Sequence, residues 1–172
     1  TGKHILVTGI NADDANIMGD WTDPQPESHC WTVLRGLRES APDVHFDFVD
    51  QGWDPRNMDP QQVQRAAQQA RTADMNIVVC GEYMARYRWH DRTGGEDTDR
   101  SDNQLVGLQE ELIRQVAAAG KPTILIYITG RPFSFPWAQE NLSAVLYAWE
   151  PGQMGGKALA RILWGQVNPS AK

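Results

Sequence analysis

Thr123-Ile-Leu-Ile-Tyr-Ile128 decides the fold. The run is strand-sized and apolar almost throughout, as expected of a strand covered on both faces. Just upstream, Gly120 and Pro122 stop a helical pattern over residues 103–119 that spaces Leu105, Leu108, Leu112 and Val116 along one face. Downstream, Ala144-Val-Leu-Tyr-Ala-Trp149 reads as another strand. A helix over 154–164 follows, with Leu159, Ile162 and Leu163 inward and Gly165 as its stop. The same rhythm runs back to the start of the chain. His4-Ile-Leu-Val-Thr8, the alternating stretch 44–49, and Met75-Asn-Ile-Val-Val-Cys80 read as three earlier strands. Between them lie helices over 32–40, carrying Val33, Leu34 and Leu37, and over 60–72. Asp59 is placed to cap the second of these and Pro60 suits its first turn. Its apolar stripe of Val63, Ala66, Ala67 and Ala70 is thin, so it should lie close to the sheet. Strands alternating with helices predict a three-layer α/β sandwich, flavodoxin-like in outline, around a mostly parallel sheet of five to six strands. The whole chain, residues 1–172, reads as one domain with no internal repeat.

Bulk properties narrow the function. The formal net charge is −6 with no basic block, which argues against nucleic acid as a partner. No apolar run approaches the length that crosses a bilayer, so no membrane partner is expected. Thr1-Gly-Lys-His4 enters a strand at once, and no signal peptide is visible. Cys30 and Cys80 do not make a disulfide framework, and Cys80 reads as a small buried hydrophobe. Seven tryptophans are many for this length. Most should pack the core, leaving one or two as platforms on which a flat sugar face can stack.

One connection breaks the rhythm. After Cys80 come about twenty residues without periodicity, and connections that long are usually functional or disordered. They follow the carboxyl end of a central strand, where open α/β sheets bind ligands. The segment holds Glu82, Arg86, Arg88, His90, Asp91, Arg92, Glu96, Asp97, Asp99, Arg100 and Asp102. Familiar motifs fail. Gly9-Ile-Asn11 is not G-x-G-x-x-G, no G-K-[ST] follows, and no G-x-S-x-G occurs. Asp97, Asp99 and Ser101 resemble the start of a calcium loop, but Asp102 and Leu108 stand where it needs Gly and Glu. His90 beside Asp91 is too thin for a metal site, the four histidines are scattered, and neither cofactor nor metal is expected.

Several segments together resemble the second domain of family 3 glycoside hydrolases, the β-glucosidase and exo-glucanase group. These are Ile5-Leu-Val-Thr-Gly-Ile-Asn-Ala-Asp-Asp14 with Gly19-Asp-Trp21, Ile77-Val-Val-Cys-Gly-Glu82, Gly95-Glu-Asp-Thr-Asp-Arg100, Gly130-Arg-Pro132 and Ala148-Trp-Glu-Pro-Gly-Gln153. They occur in family order over nearly the whole chain. The resemblance implies a retaining β-glycosidase acting on a β-linked glucoside or oligosaccharide. A (β/α)8 barrel, absent here, would supply the nucleophile, and this domain the general acid/base. That chemistry needs two carboxyl groups about 5–5.5 Å apart. Glu96 matches the family's proton donor, with flexible Gly94 and Gly95 letting its loop reach a second domain. Glu82 competes, because some members carry their acid/base Glu in a Gly-Glu-Gly-Tyr element; Gly81-Glu-Tyr83 lacks the second Gly. Trp21 and Trp89 are the expected substrate-binding aromatics. Arg100 either faces substrate hydroxyls or locks the loop, and Arg131 reads as a structural clamp. The resemblance favours a periplasmic or secreted setting over the cytoplasm. It also implies an excised domain that folds but is inactive alone. A non-catalytic α/β binding or regulatory module is the alternative.

Overall fold

The computed structural model describes residues 2–170. Five strands form it, β1 (His4–Thr8), β2 (His45–Val49), β3 (Met75–Gly81), β4 (Thr123–Ile128) and β5 (Ala144–Trp149). They pair in the order β2-β1-β3-β4-β5, every neighbour parallel. The helices are α1 (Val33–Ser40), α2 (Pro60–Ala70), α3 (Gln109–Ala117), α4 (Pro136–Asn141) and α5 (Gly155–Leu163).

Alternate side chains of the central strands feed two cores, which is why these strands are apolar on both faces. Leu6, Val78 and Leu125 pack with Val63, Ala66, Leu112 and Val116 under α2 and α3. Ile5, Val7, Ile77, Val79 and Ile126 pack with Val33, Leu34, Leu37 and Leu159 under α1 and α5. Each fully buried Leu or Ile contributes about 1.5–3 kcal/mol of transfer free energy. The three-layer α/β sandwich predicted from the strand–helix rhythm is the one observed.

α1 and α5 touch backbone to backbone. A Cβ on Gly36 would stand 2.2 Å from Gly156 O, and one on Gly156 would stand 1.9 Å from Thr32 O. Gly156 N–H donates to Trp31 O at 2.8 Å through that gap.

Two expectations need correction. The helix read from residue 103 begins at Gln109. Leu105 is buried as its spacing implied, but Gly107 adopts φ 67° and breaks the run before the helix starts. α4 was not expected. It is six residues long, opens on Pro136, and buries only Ala138, so it leaves no periodic trace in the sequence.

Candidate active site

The strand order reverses between β1 and β3. Such a switch point opens a crevice outside the carboxyl ends of the strands, and the segments leaving β1 and β3 meet in it. At its end β3 must leave the ladder without orphaning its polar groups. Side-chain amides take over. Gly81 N–H donates to Gln109 Oε1 at 2.8 Å, and Gln109 Nε2 donates back to Gly81 O at 2.9 Å. Asn11 and Asn16 both donate to Glu82 O, at 3.2 and 2.6 Å, and Met84 N–H donates to Asn16 Oδ1 at 2.6 Å.

Glu82 turns inward, with a side chain 0% exposed. Its Oε1 lies 2.7 Å from Arg131 Nε and 3.8 Å from Arg100 Nη1. Thr129 Oγ1 donates to its Oε2 at 3.0 Å. Burial pushes the Glu82 carboxyl above the ordinary range, while Arg131, Thr129 and Arg100 pull it back. Arg131 also donates from Nη2 to Thr98 O at 2.8 Å, so it clamps the loop to the exit of β4. Arg100 donates from Nη2 to Asp102 Oδ1 at 2.9 Å and Gln104 O at 2.6 Å.

Further along, the loop returns and is fastened to the segment after β1. Thr93 N–H donates to Tyr83 O at 2.8 Å and Tyr83 N–H to Thr93 Oγ1 at 2.9 Å. Arg92 Nη1 meets Asp20 Oδ1 at 2.7 Å, with side chains only 1% and 4% exposed. Further hydrogen bonds support a pair so buried. Arg92 Nη2 donates to Glu96 O at 2.6 Å, and Asp20 Oδ2 accepts from Glu96 N–H at 2.8 Å. Trp89 lies against the Arg92 guanidinium, 3.7 Å from ring centroid to Cζ. From the far side, Arg56 donates to Asp91 O and Arg92 O, both at 2.7 Å.

Glu96 therefore sits on a fixed support. Thr98 N–H donates to Gly95 O at 3.3 Å, closing a turn with Glu96 and Asp97 as its two central residues. Asp97 takes φ 55°, a conformation Asp tolerates better than most residues. Both residues at the tip are exposed. The glycines before them are not flexible spacers, as the sequence reading held. A Cβ on Gly94 would stand 2.3 Å from the Glu82 carboxyl, and one on Gly95 would stand 2.7 Å from Asp20 Cγ. They let the backbone lie directly on two buried carboxylates.

Around this tip the carboxyl-end rim is aromatic. Trp21 is 73% exposed, Tyr87 55%, Trp149 48% and Trp89 43%. Trp149 ends β5 at φ 57°, beyond a register shift against β4. Glu150 follows it, and its Oε2 accepts from Asp20 N–H at 3.3 Å. A second cleft of about 220 Å³, between the exits of β1 and β2, is lined by Asp13, Asp14, Asp50 and Trp53. Three carboxyl groups make it a poor seat for phosphate. The sequence reading missed Asp20, Arg92, Asn16, Gln109 and Glu150. Asp20 and Glu150 lie inside the family-like segments Gly19-Asp-Trp21 and Ala148-Trp-Glu-Pro-Gly-Gln153, and Arg92 lies in the aperiodic connection; Asn16 and Gln109 left no signal.

The profile of the glycosyl hydrolase family 3 C-terminal domain matches residues 1–172. The chain belongs to that family. A beta-xylosidase of Formosa agariphila is 29% identical to it over 178 residues, spanning 99% of this chain and 23% of that protein. The periplasmic beta-glucosidase of Salmonella typhimurium is 28% identical, over 98% of this chain and 24% of that protein. The crystal structure of a beta-glucosidase from Listeria innocua with isofagomine superposes at a TM-score of 0.82, with 25% identity, over 98% of this chain and 22% of that one. The chain thus spans about a quarter of the length of the relatives it matches.

Proposed function

We propose that this family 3 domain supplies Glu96 as the general acid/base of a retaining β-glycosidase, acting on a β-linked glucoside or xyloside. The nucleophile comes from a (β/α)8 barrel elsewhere in the enzyme. The observation that carries the reading is the contrast between two glutamates of one loop. Glu82 is enclosed and ion-paired to Arg131, out of reach of any substrate. Glu96 is exposed at the centre of a turn whose backbone is held by the buried Asp20–Arg92 pair.

The chemistry follows from that placement. Glu96 donates its proton to the departing glycosidic oxygen while the nucleophile attacks the anomeric carbon and forms a covalent glycosyl-enzyme. Glu96, now a carboxylate, takes a proton from water, and the hydroxide so formed displaces the nucleophile with retained configuration. A fixed support matters because the two carboxyl groups must hold a separation of about 5–5.5 Å. Trp21, beside the Asp20 that holds Glu96, is positioned to pack against a sugar face. Trp89 backs the Arg92 anchor and forms part of the same rim. Arg100 acts as a positioning residue through Asp102, Gln104 and Glu82.

The test is Glu96→Gln in the complete enzyme. Cleavage of a β-glucoside with a poor leaving group should fall by about 10²–10⁴-fold, the usual worth of general acid/base catalysis. With an activated dinitrophenyl glucoside, whose first step needs no acid, added azide should restore turnover by attacking the glycosyl-enzyme without needing a base, releasing the glycosyl azide. Undiminished cleavage by the variant would refute the assignment. The acidic lining of the second cleft counts against a nucleotide- or phosphate-binding module.

A further inference from the structure

The four histidines look scattered along the chain, but the sheet brings two of them together. His4 begins β1 and pairs in register with His45 at the start of the edge strand β2. Asp47 lies two residues further along β2, hence on the same face as His45. His4 Nε2 lies 2.5 Å from Asp47 Oδ2, and His45 Nε2 lies 2.9 Å from Asp47 Oδ1. The two imidazole rings are 5.2 Å apart, tilted by 47°. All three donor groups present a ligand atom within 4.8 Å of the others.

From this geometry we propose that His4, His45 and Asp47 bind a divalent transition cation of the Zn²⁺ class. The ligands are His4 Nε2, His45 Nε2 and one Asp47 oxygen, with water completing the shell. Bond lengths of about 2.0–2.2 Å in a tetrahedral site hold ligand atoms about 3.4 Å apart. The His4 and His45 nitrogens stand 2.5 and 2.9 Å from the Asp47 oxygens, and a ligand atom of each residue lies within 4.8 Å of the other two, limits that bracket that spacing. Two imidazole nitrogens select a transition cation over Ca²⁺ or Mg²⁺, which prefer all-oxygen shells. Side-chain exposures of 29%, 72% and 32% leave the site open to ions from solution. The site stands at the amino end of the sheet, opposite the rim that carries Glu96. It therefore clips β2 to β1 and takes no part in glycoside chemistry. Without metal, a triad this exposed adds little stability.

Calorimetric titration of ZnCl₂ into the chelator-treated, untagged chain tests the assignment. Saturable binding at one ion per chain is expected, with none for Ca²⁺ or Mg²⁺. His45→Ala and Asp47→Asn should each weaken Zn²⁺ at least tenfold and abolish its upward shift of the melting temperature. His29→Ala and His90→Ala should leave both readings unchanged. His45 is mostly exposed, so its variant should keep the fold, and far-ultraviolet circular dichroism checks that for every variant. Absence of saturable Zn²⁺ binding overturns the proposal. So does binding that persists in both His45→Ala and Asp47→Asn, or that disappears in His90→Ala.

Discussion

Glu82 and Glu96 share one loop, yet one is enclosed and the other exposed. Glu82 is a structural knot. Glu82→Ala would leave Arg131 and Arg100 facing a buried gap, and breaking such a pair from one side costs about 3–5 kcal/mol. Urea unfolding should show a loss of that size, while Glu96→Gln, at an exposed tip, should change stability by less than about 0.5 kcal/mol. Cys30 offers a pH-dependent reading. Burial, then the nearby Asp14 carboxylate, push its thiol from 9.0 up to about 11. The folded state therefore keeps a proton that the unfolded chain loses between those values. The contribution is complete below pH 9 and is lost as pH rises to about 11, roughly 2–3 kcal/mol in all. Denaturation across that window should be less steep in pH for Cys30→Ala than for the parent chain. At this scale the sequence was partly legible. The candidate acids and the burial of Cys80 could be read from local context. The Asp20–Arg92 pair could not, because its partners stand 72 residues apart and only the folded sheet brings them together.

Among the elements, the strands were easiest to read, since burial on both faces writes itself into four or five consecutive apolar residues. The helices were legible where a stripe of Leu or Val repeated, and not where a short turn served mainly to fill a gap, as in α4. The start of α3 was misjudged because Leu105 obeys helical spacing while packing from an extended segment. Its true first residue, Gln109, gives its amide to β3 rather than to a cap. The meeting of α1 and α5 was invisible, since it depends on what is missing from Gly36 and Gly156. Gly156→Ala should therefore destabilise the domain by about 1–3 kcal/mol or more, because the new methyl meets backbone that cannot yield. Chemical denaturation of this variant beside Ala158→Gly, an exposed site on the same helix, separates overpacking from helix propensity.

At the scale of the molecule, the proposed function makes the domain one half of a reaction. A lone acid without a positioned nucleophile lacks the proximity advantage on which two-carboxylate hydrolysis depends. The 172-residue chain should fold yet show no turnover of nitrophenyl β-glucoside or β-xyloside. Activity in the purified chain that Glu96→Ala abolishes would contradict the shared-site reading. The overall architecture was legible because strand–helix alternation admits few arrangements. The aromatic rim was legible in part: Trp21 and Trp89 were named for it, but Tyr87 and Trp149 were not, since an exposed aromatic and a buried one look the same in a sequence.

Trp149 carries that point further. Its left-handed backbone costs a residue with a side chain about 1–2 kcal/mol, a penalty glycine escapes and asparagine largely avoids. Nearly half exposed, the indole recovers little of this beyond its contact with the Tyr147 ring. A library of variants screened for heat resistance alone would drift toward glycine or asparagine there. Its survivors would be hardier domains with a barer mouth.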